Sequence, residues 1–134
     1  MDYHERAVID IEVAKHYSSP QGNPNNDEGY LDVAAYHVQQ GIEKILKHVL
    51  RDILGMSDES RSFRTHDIDS LISQVEGTTD LLIPDDIKII AADVTTWEAG
   101  TRYGSSQLVE LEKIHDAIRV FEHLLELIDE WKGV

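Results

Sequence analysis

Seven histidines punctuate this sequence, and their spacing to nearby cations and carboxylates frames the chemistry it could support. His37, Gln40, Lys44, Lys47, His48 and Arg51 recur at threes and fours, which on a helix makes one continuous polar and largely basic ridge. Lys44, Lys47 and Arg51 would supply phosphate contacts there, and Tyr36, Tyr103 or Trp97 could stack on a base where exposed. The bland alternative is a solvated helix face whose long basic side chains need no ligand. Arg61 and His66, with four residues between them, form a second candidate pair, as imidazole near neutrality can move a proton while guanidinium holds a phosphate. Arg119 and His123 fall one turn apart on a late helix, an ordinary surface arrangement. His115 reads as a boundary histidine at the edge of an apolar stripe.

Other chemistries have no footing in the chain. There is no cysteine, which excludes disulfides, thiolate zinc sites and cysteine nucleophiles. No His-x-x-x-His or Glu-x-x-His pairing sets two metal ligands on one face of the ridge helix, so no metal is expected. A glycine-rich phosphate loop followed by lysine is also missing, and no cofactor is expected.

The elements that must position these groups are helical. Tyr3 to about Tyr17 carries Ala7, Ile11 and Ala14 on one face. Ser18 to Asp27, with two prolines and many turn formers, predicts a long first loop. Glu28 to Leu54 is the strongest helix, with Leu31, Ala34, Ala35, Val38, Ile42 and Ile45 heading its buried stripe and Gly55 suited to its end. Thr65 is placed to cap a short helix through Val75 that ends at Gly77. Pro84-Asp85-Asp86 opens a further helix with Ile87, Ile90, Ala91, Val94 and Trp97 inward, broken by Gly100 and Gly104. Ser105 or Ser106 would cap the last helix, which buries Leu111, Ile114, Ile118, Phe121, Leu125 and Ile128 before ending near Trp131. No segment alternates with a period of two, so the expected class is all-α: an antiparallel bundle of about five helices, two long and three shorter.

The 134 residues suit one domain, and 41% apolar with 28% charged residues is a globular balance. Twelve basic against 26 acidic residues give a net charge of −14, so a nucleic-acid partner would need a local basic patch. The N-terminus lacks the order of a signal peptide and no apolar run approaches a membrane span, which makes the cytoplasm the expected address and excludes a membrane partner.

The run Ala34-Ala35-Tyr36-His37-Val38-Gln39-Gln40-Gly41-Ile42-Glu43-Lys44-Ile45-Leu46-Lys47 resembles the signature helix of the HEPN family, nucleotide-binding domains named for higher eukaryotes and prokaryotes. Thr65-His66-Asp67-Ile68 with Leu71 is similar to the family's Thr-His-Asn/Asp-Leu turn, and Pro84, Ala91-Ala92 and Arg102-Tyr103-Gly104 resemble its later markers. The resemblance spans roughly residues 3 to 131. It implies a helical bundle that often forms a homodimer, frequently beside a nucleotidyltransferase partner in a toxin–antitoxin pair. Some members are metal-independent ribonucleases that use an arginine followed four to six residues later by histidine. After Arg102 the corresponding positions hold Gln107, Leu108 and Val109, so that base is missing from its family place. The resemblance therefore implies a binding module without catalysis, with His37, Gln40, Lys44, Lys47, His66, Arg102 and Tyr103 facing a nucleotide, RNA or a partner protein. Two alternatives stand beside it: a ribonuclease drawing on Arg61, His66 or Arg102, and a purely structural oligomerisation or antitoxin-like domain.

Overall fold

The computed structural model describes residues 1–102 and 109–132, with backbone alone at 98–102 and 132. Five α-helices follow one another: α1 (Tyr3–Tyr17), α2 (Glu28–Lys47), α3 (Ile68–Thr78), α4 (Asp85–Arg102) and α5 (Leu111–Lys132). Among the described residues there is no strand, and none of these helices is long and apolar enough to cross a membrane.

Aspartates start three of the helices. Asp2, Asp27 and Asp67 each accept a hydrogen bond from the first-turn amide of Glu5, Gly29 and Asp69, removing orphan donors and placing negative charge at the positive end of the dipole. Thr65 is thus not the cap of α3; it sits two residues earlier, where its Oγ1 accepts from the Asp67 amide. The first loop is folded on itself, with buried Asn23 accepting from the Asp27 amide and donating to the Asp27 carbonyl.

Helix α2 is the axis of the molecule, packed against α1, α3, α4 and α5. Leu31, Ala34, Ala35, Val38, Ile42, Ile45 and Leu46 are buried as their periodicity predicts. At Gly41 the approach of α1 is so close that a Cβ would lie 2.9 Å from Ile11 Cδ1 and 3.4 Å from the Ala7 carbonyl oxygen. Beyond Lys47 the backbone loosens into a π-helical turn, His48–Ile53, which Gly55 ends at φ +78° in the left-handed region.

Two boundaries differ from the sequence reading. Helix α4 runs on through Gly100 to Arg102, making it a long helix rather than a short one, since glycine weakens a helix interior without forbidding it. Helix α5 starts at Leu111, and the proposed caps Ser105 and Ser106 lie outside the described residues. The stripe Ile114, Ile118, Phe121 and Ile128 closes the core over α2.

Replacing Gly41 by leucine is expected to lower unfolding free energy by about 2 kcal/mol or more, through overpacking of the α1–α2 seam. Urea denaturation monitored by circular dichroism measures this, and a change within about 0.5 kcal/mol would contradict the close approach.

Candidate functional site

The ridge predicted on α2 exists as a sequence feature but not as an open surface. Because α2 has neighbours on most sides, its polar residues are drawn inward: Gln39, Glu43, Lys47 and His48 are buried, and His37, Gln40, Lys44 and Arg51 are only part-exposed. The expectation of a solvated or groove-facing ridge opposite the core is corrected on this point. An enclosed charge must find a partner within the fold, and each charged group here does.

Towards α1, the approach permitted by Gly41 sets Asp10 between His37 and Lys44, two turns apart on α2. Asp10 Oδ1 accepts from His37 Nδ1 at 2.7 Å and Oδ2 from Lys44 Nζ at 2.7 Å. The carboxylate is buried while its two partners keep about a quarter of their side-chain surface.

Towards the α3 corner, Glu43 Oε1 accepts from His66 Nδ1 at 2.6 Å and faces Lys47 Nζ at 3.3 Å. Glu43 retains 3% of its side-chain exposure, whereas His66 retains 62%. A carboxylate hidden under α2 thus holds an imidazole that looks outward. Lys47 lies over the Phe63 ring, 5.1 Å from its centroid. One turn back, Gln39 Oε1 accepts from Gln40 Nε2 at 2.7 Å, while its own Nε2 is buried without a partner among the described residues.

Arg61 and Arg64 flank this corner on the exposed turn before His66, and neither makes an ion pair with a described residue. In the same stretch Asp58 is engaged by Arg51 and Asp67 caps α3, while the exposed Glu59 makes no ion pair with a described residue. The turn therefore offers two uncommitted cations in a protein of strongly negative net charge. Sequence spacing had set Arg61 beside His66; the structure orients His66 by Glu43 instead, a link that His66 and Glu43, 23 positions apart, do not reveal in sequence. The side chain of Arg102 and all of Tyr103 lie outside the described residues.

A third cluster joins the N-terminus to the π-helical turn. Asp52 Oδ2 accepts from the Tyr3 amide and from His48 Nδ1, and Oδ1 accepts from Arg51 Nε, whose guanidinium lies 4.0 Å over the Tyr3 ring. Asp2, His48 and Asp52 each bring one ligand-type atom within 4.8 Å of the others. Those carboxylates already serve as a helix cap and as the acceptor for an amide, an imidazole and a guanidinium, so the group reads as a structural knot and not as a cation site. Burial alone would push the Asp52 carboxyl up, but the hydrogen bonds from His48, Arg51 and the Tyr3 amide outweigh it and hold it below the usual carboxylate value.

Three of the four remaining histidines pair at helix junctions, and the fourth, His16, sits edge-on to the Tyr17 ring. His115 Nε2 lies 3.0 Å from the Ser18 carbonyl, His123 faces Asp86, and His4 faces Asp129. Arg119 pairs with Asp116 on its own helix and makes no dyad with His123.

Two measurements follow from this geometry. Asp10→Ala should cost about 2 kcal/mol at pH 7, below the full value for a buried pair because its partners are partly solvated, and Asp10→Asn should cost less. Since the Asp52 carboxyl is depressed in the folded state, the stability it adds is present above the unfolded value, about pH 4, and disappears as pH falls through the folded value. Denaturation of wild type and Asp52→Asn should differ at pH 7 and converge below about pH 4; a constant gap would remove the linkage.

Comparison with curated proteins and with solved structures gives no match. A family model does match, over residues 21–131, which takes in α2 through nearly all of α5 and every residue of the Glu43–His66 corner. With most of its length so matched, the chain belongs to the HEPN domain family.

Proposed function

We propose that this HEPN domain is a binding module for a phosphate-bearing ligand, a nucleotide or an RNA segment, and that it works as a homodimer without catalysing a reaction of its own. The observation that supports this most directly is the buried Glu43 holding the exposed imidazole of His66, with Arg61 and Arg64, which make no ion pair with a described residue, on the turn before it. Sequestering a carboxylate is costly, and here the arrangement fixes one surface histidine in place. The arginines supply the bidentate donors that a phosphate accepts, as a local exception to the overall negative field. Lys44 and Lys47 enter this reading only as secondary contacts, because a phosphate would have to compete with Asp10 and Glu43 for them. His37 and Gln40, like Arg102 and Tyr103, enter the proposed surface only by their place in the family pattern, since His37 is held by Asp10 on the α1 side of α2.

A second reading, metal-independent ribonuclease, is favoured by the same Glu43–His66 contact, because a carboxylate that orients an imidazole also suits a general base. Binding is preferred because Arg102 has no histidine at the family spacing.

Fluorescence anisotropy with a labelled RNA oligonucleotide and with ATP, at low and moderate salt, tests the proposal. Arg61→Ala with Arg64→Ala is expected to weaken binding about tenfold and to flatten its salt dependence, with His66→Ala also weakening it. Intact RNA after prolonged incubation in chelator supports a binding module. Cleavage that His66→Ala or Arg102→Ala abolishes would replace it with the ribonuclease, and affinity unchanged in the double arginine variant would remove the site.

A further inference from the structure

Residues 57–66, which bring Arg61, Arg64 and His66 to the surface, form neither helix nor strand. Among the described residues their backbone–backbone hydrogen bonds, Ser60 N to Ser57 O and Arg64 N to Ser60 O, are internal, so side chains must fix where the turn lies. Asp58 pairs with Arg51 at 3.4 Å, the Ser62 carbonyl accepts from Gln74 Nε2 at 2.8 Å, and His66 bonds Glu43. The first two of these contacts lie at the surface, where such bonds are weak. Phe63, between the two arginines, is the one buried residue of the stretch, with 2% of its surface exposed.

Two groups hold the Phe63 ring. Lys47 Nζ lies 5.1 Å from its centroid, and the Tyr3 ring meets it at 5.8 Å, tilted by 57°. Both are attractive arrangements for an aromatic ring. Tyr3 also bears on the Asp58 anchor, because the Arg51 guanidinium that pairs with Asp58 lies 4.0 Å over the Tyr3 ring. Tyr3 is itself held firmly, its amide by Asp52 and the start of its helix by the Asp2 cap. It belongs to α1 and lies outside residues 21–131, over which the family model matches.

We infer that Tyr3 is a positioning residue for the phosphate-binding turn: its ring clamps Phe63 and Arg51, and through them sets Arg61 and Arg64 near His66. The consequence for affinity rests on the binding reading, whereas the hold on the turn is measurable without a ligand. The Tyr3 hydroxyl makes no hydrogen bond with a described residue, so a phenylalanine ring should clamp equally well.

Amide exchange with water, read by NMR alongside the anisotropy measurement, tests the inference. In Tyr3→Ala the Ser60 and Arg64 amides are expected to exchange about tenfold faster, because opening the turn no longer parts the ring contacts. Tyr3→Phe should keep them within about twofold of wild type. Val120→Ala, a truncation of a buried α5 side chain, should lower global stability and leave these amides unchanged, since they open locally. Affinity for the RNA oligonucleotide should fall about fivefold in Tyr3→Ala and return in Tyr3→Phe, as a loosened site must be ordered again on binding. Turn amides indifferent to Tyr3→Ala overturn the inference whatever the ligand. Loosened amides with unchanged affinity also overturn it if Arg61→Ala with Arg64→Ala weakens binding. If that double variant is indifferent too, the binding site falls, and the loosened amides still support the clamp.

Discussion

The fold depends on one constraint: α2 is enclosed on most of its circumference yet carries a polar sequence, so its charges must be neutralised within the protein. Asp10 meets that demand on the α1 side and Glu43 on the α3 side. The first depends on the missing side chain at Gly41, without which α1 could not come close enough for Asp10 to reach both His37 and Lys44. The second brings in His66 from outside the helix and thereby turns a neutralising contact into a surface feature. Each isolated pair in water would contribute little; inside the bundle the penalty for leaving one member unpaired makes them decisive.

This constraint also explains what the sequence made legible. The apolar stripes of α2, α3 and α5 follow 3.6-residue periodicity and appear in the core as expected, from Leu31 to Leu46, at Leu71 and Val75, and from Ile114 to Ile128. Periodicity reports where apolar residues repeat, not how many neighbours a helix has. For α2 the periodicity predicts a solvent-facing polar side, but four other helices leave it little solvent to face. His37, Lys44 and Lys47 look the same in sequence whether they point at water or at Asp10 and Glu43, since each partner comes from chemistry 4 to 34 positions away. The lone signal available was Gly41 in the middle of a strong helix, where a glycine is unfavourable unless a neighbour needs the space.

Helix limits were less legible for a similar reason. A glycine at position 100 and a threonine at 65 carry real local preferences, but α4 continues past the first and α3 is capped by Asp67, two residues beyond the second. Aspartate and threonine compete for the same first-turn amides, and the backbone path through 65–67 decides between them.

The stranded amide of Gln39 carries a different message. Its Nε2 is buried with no acceptor among the described residues while its oxygen receives Gln40, so half of the amide is withdrawn from water. Such an orphan donor typically costs on the order of 1–3 kcal/mol, which methionine, of similar length and volume, would not incur. Selection for durability alone would have put a thioether at this point in the middle of the bundle. A glutamine retained there sets aside part of the domain's thermodynamic reserve, and thermal tolerance is the quantity in which that choice becomes visible.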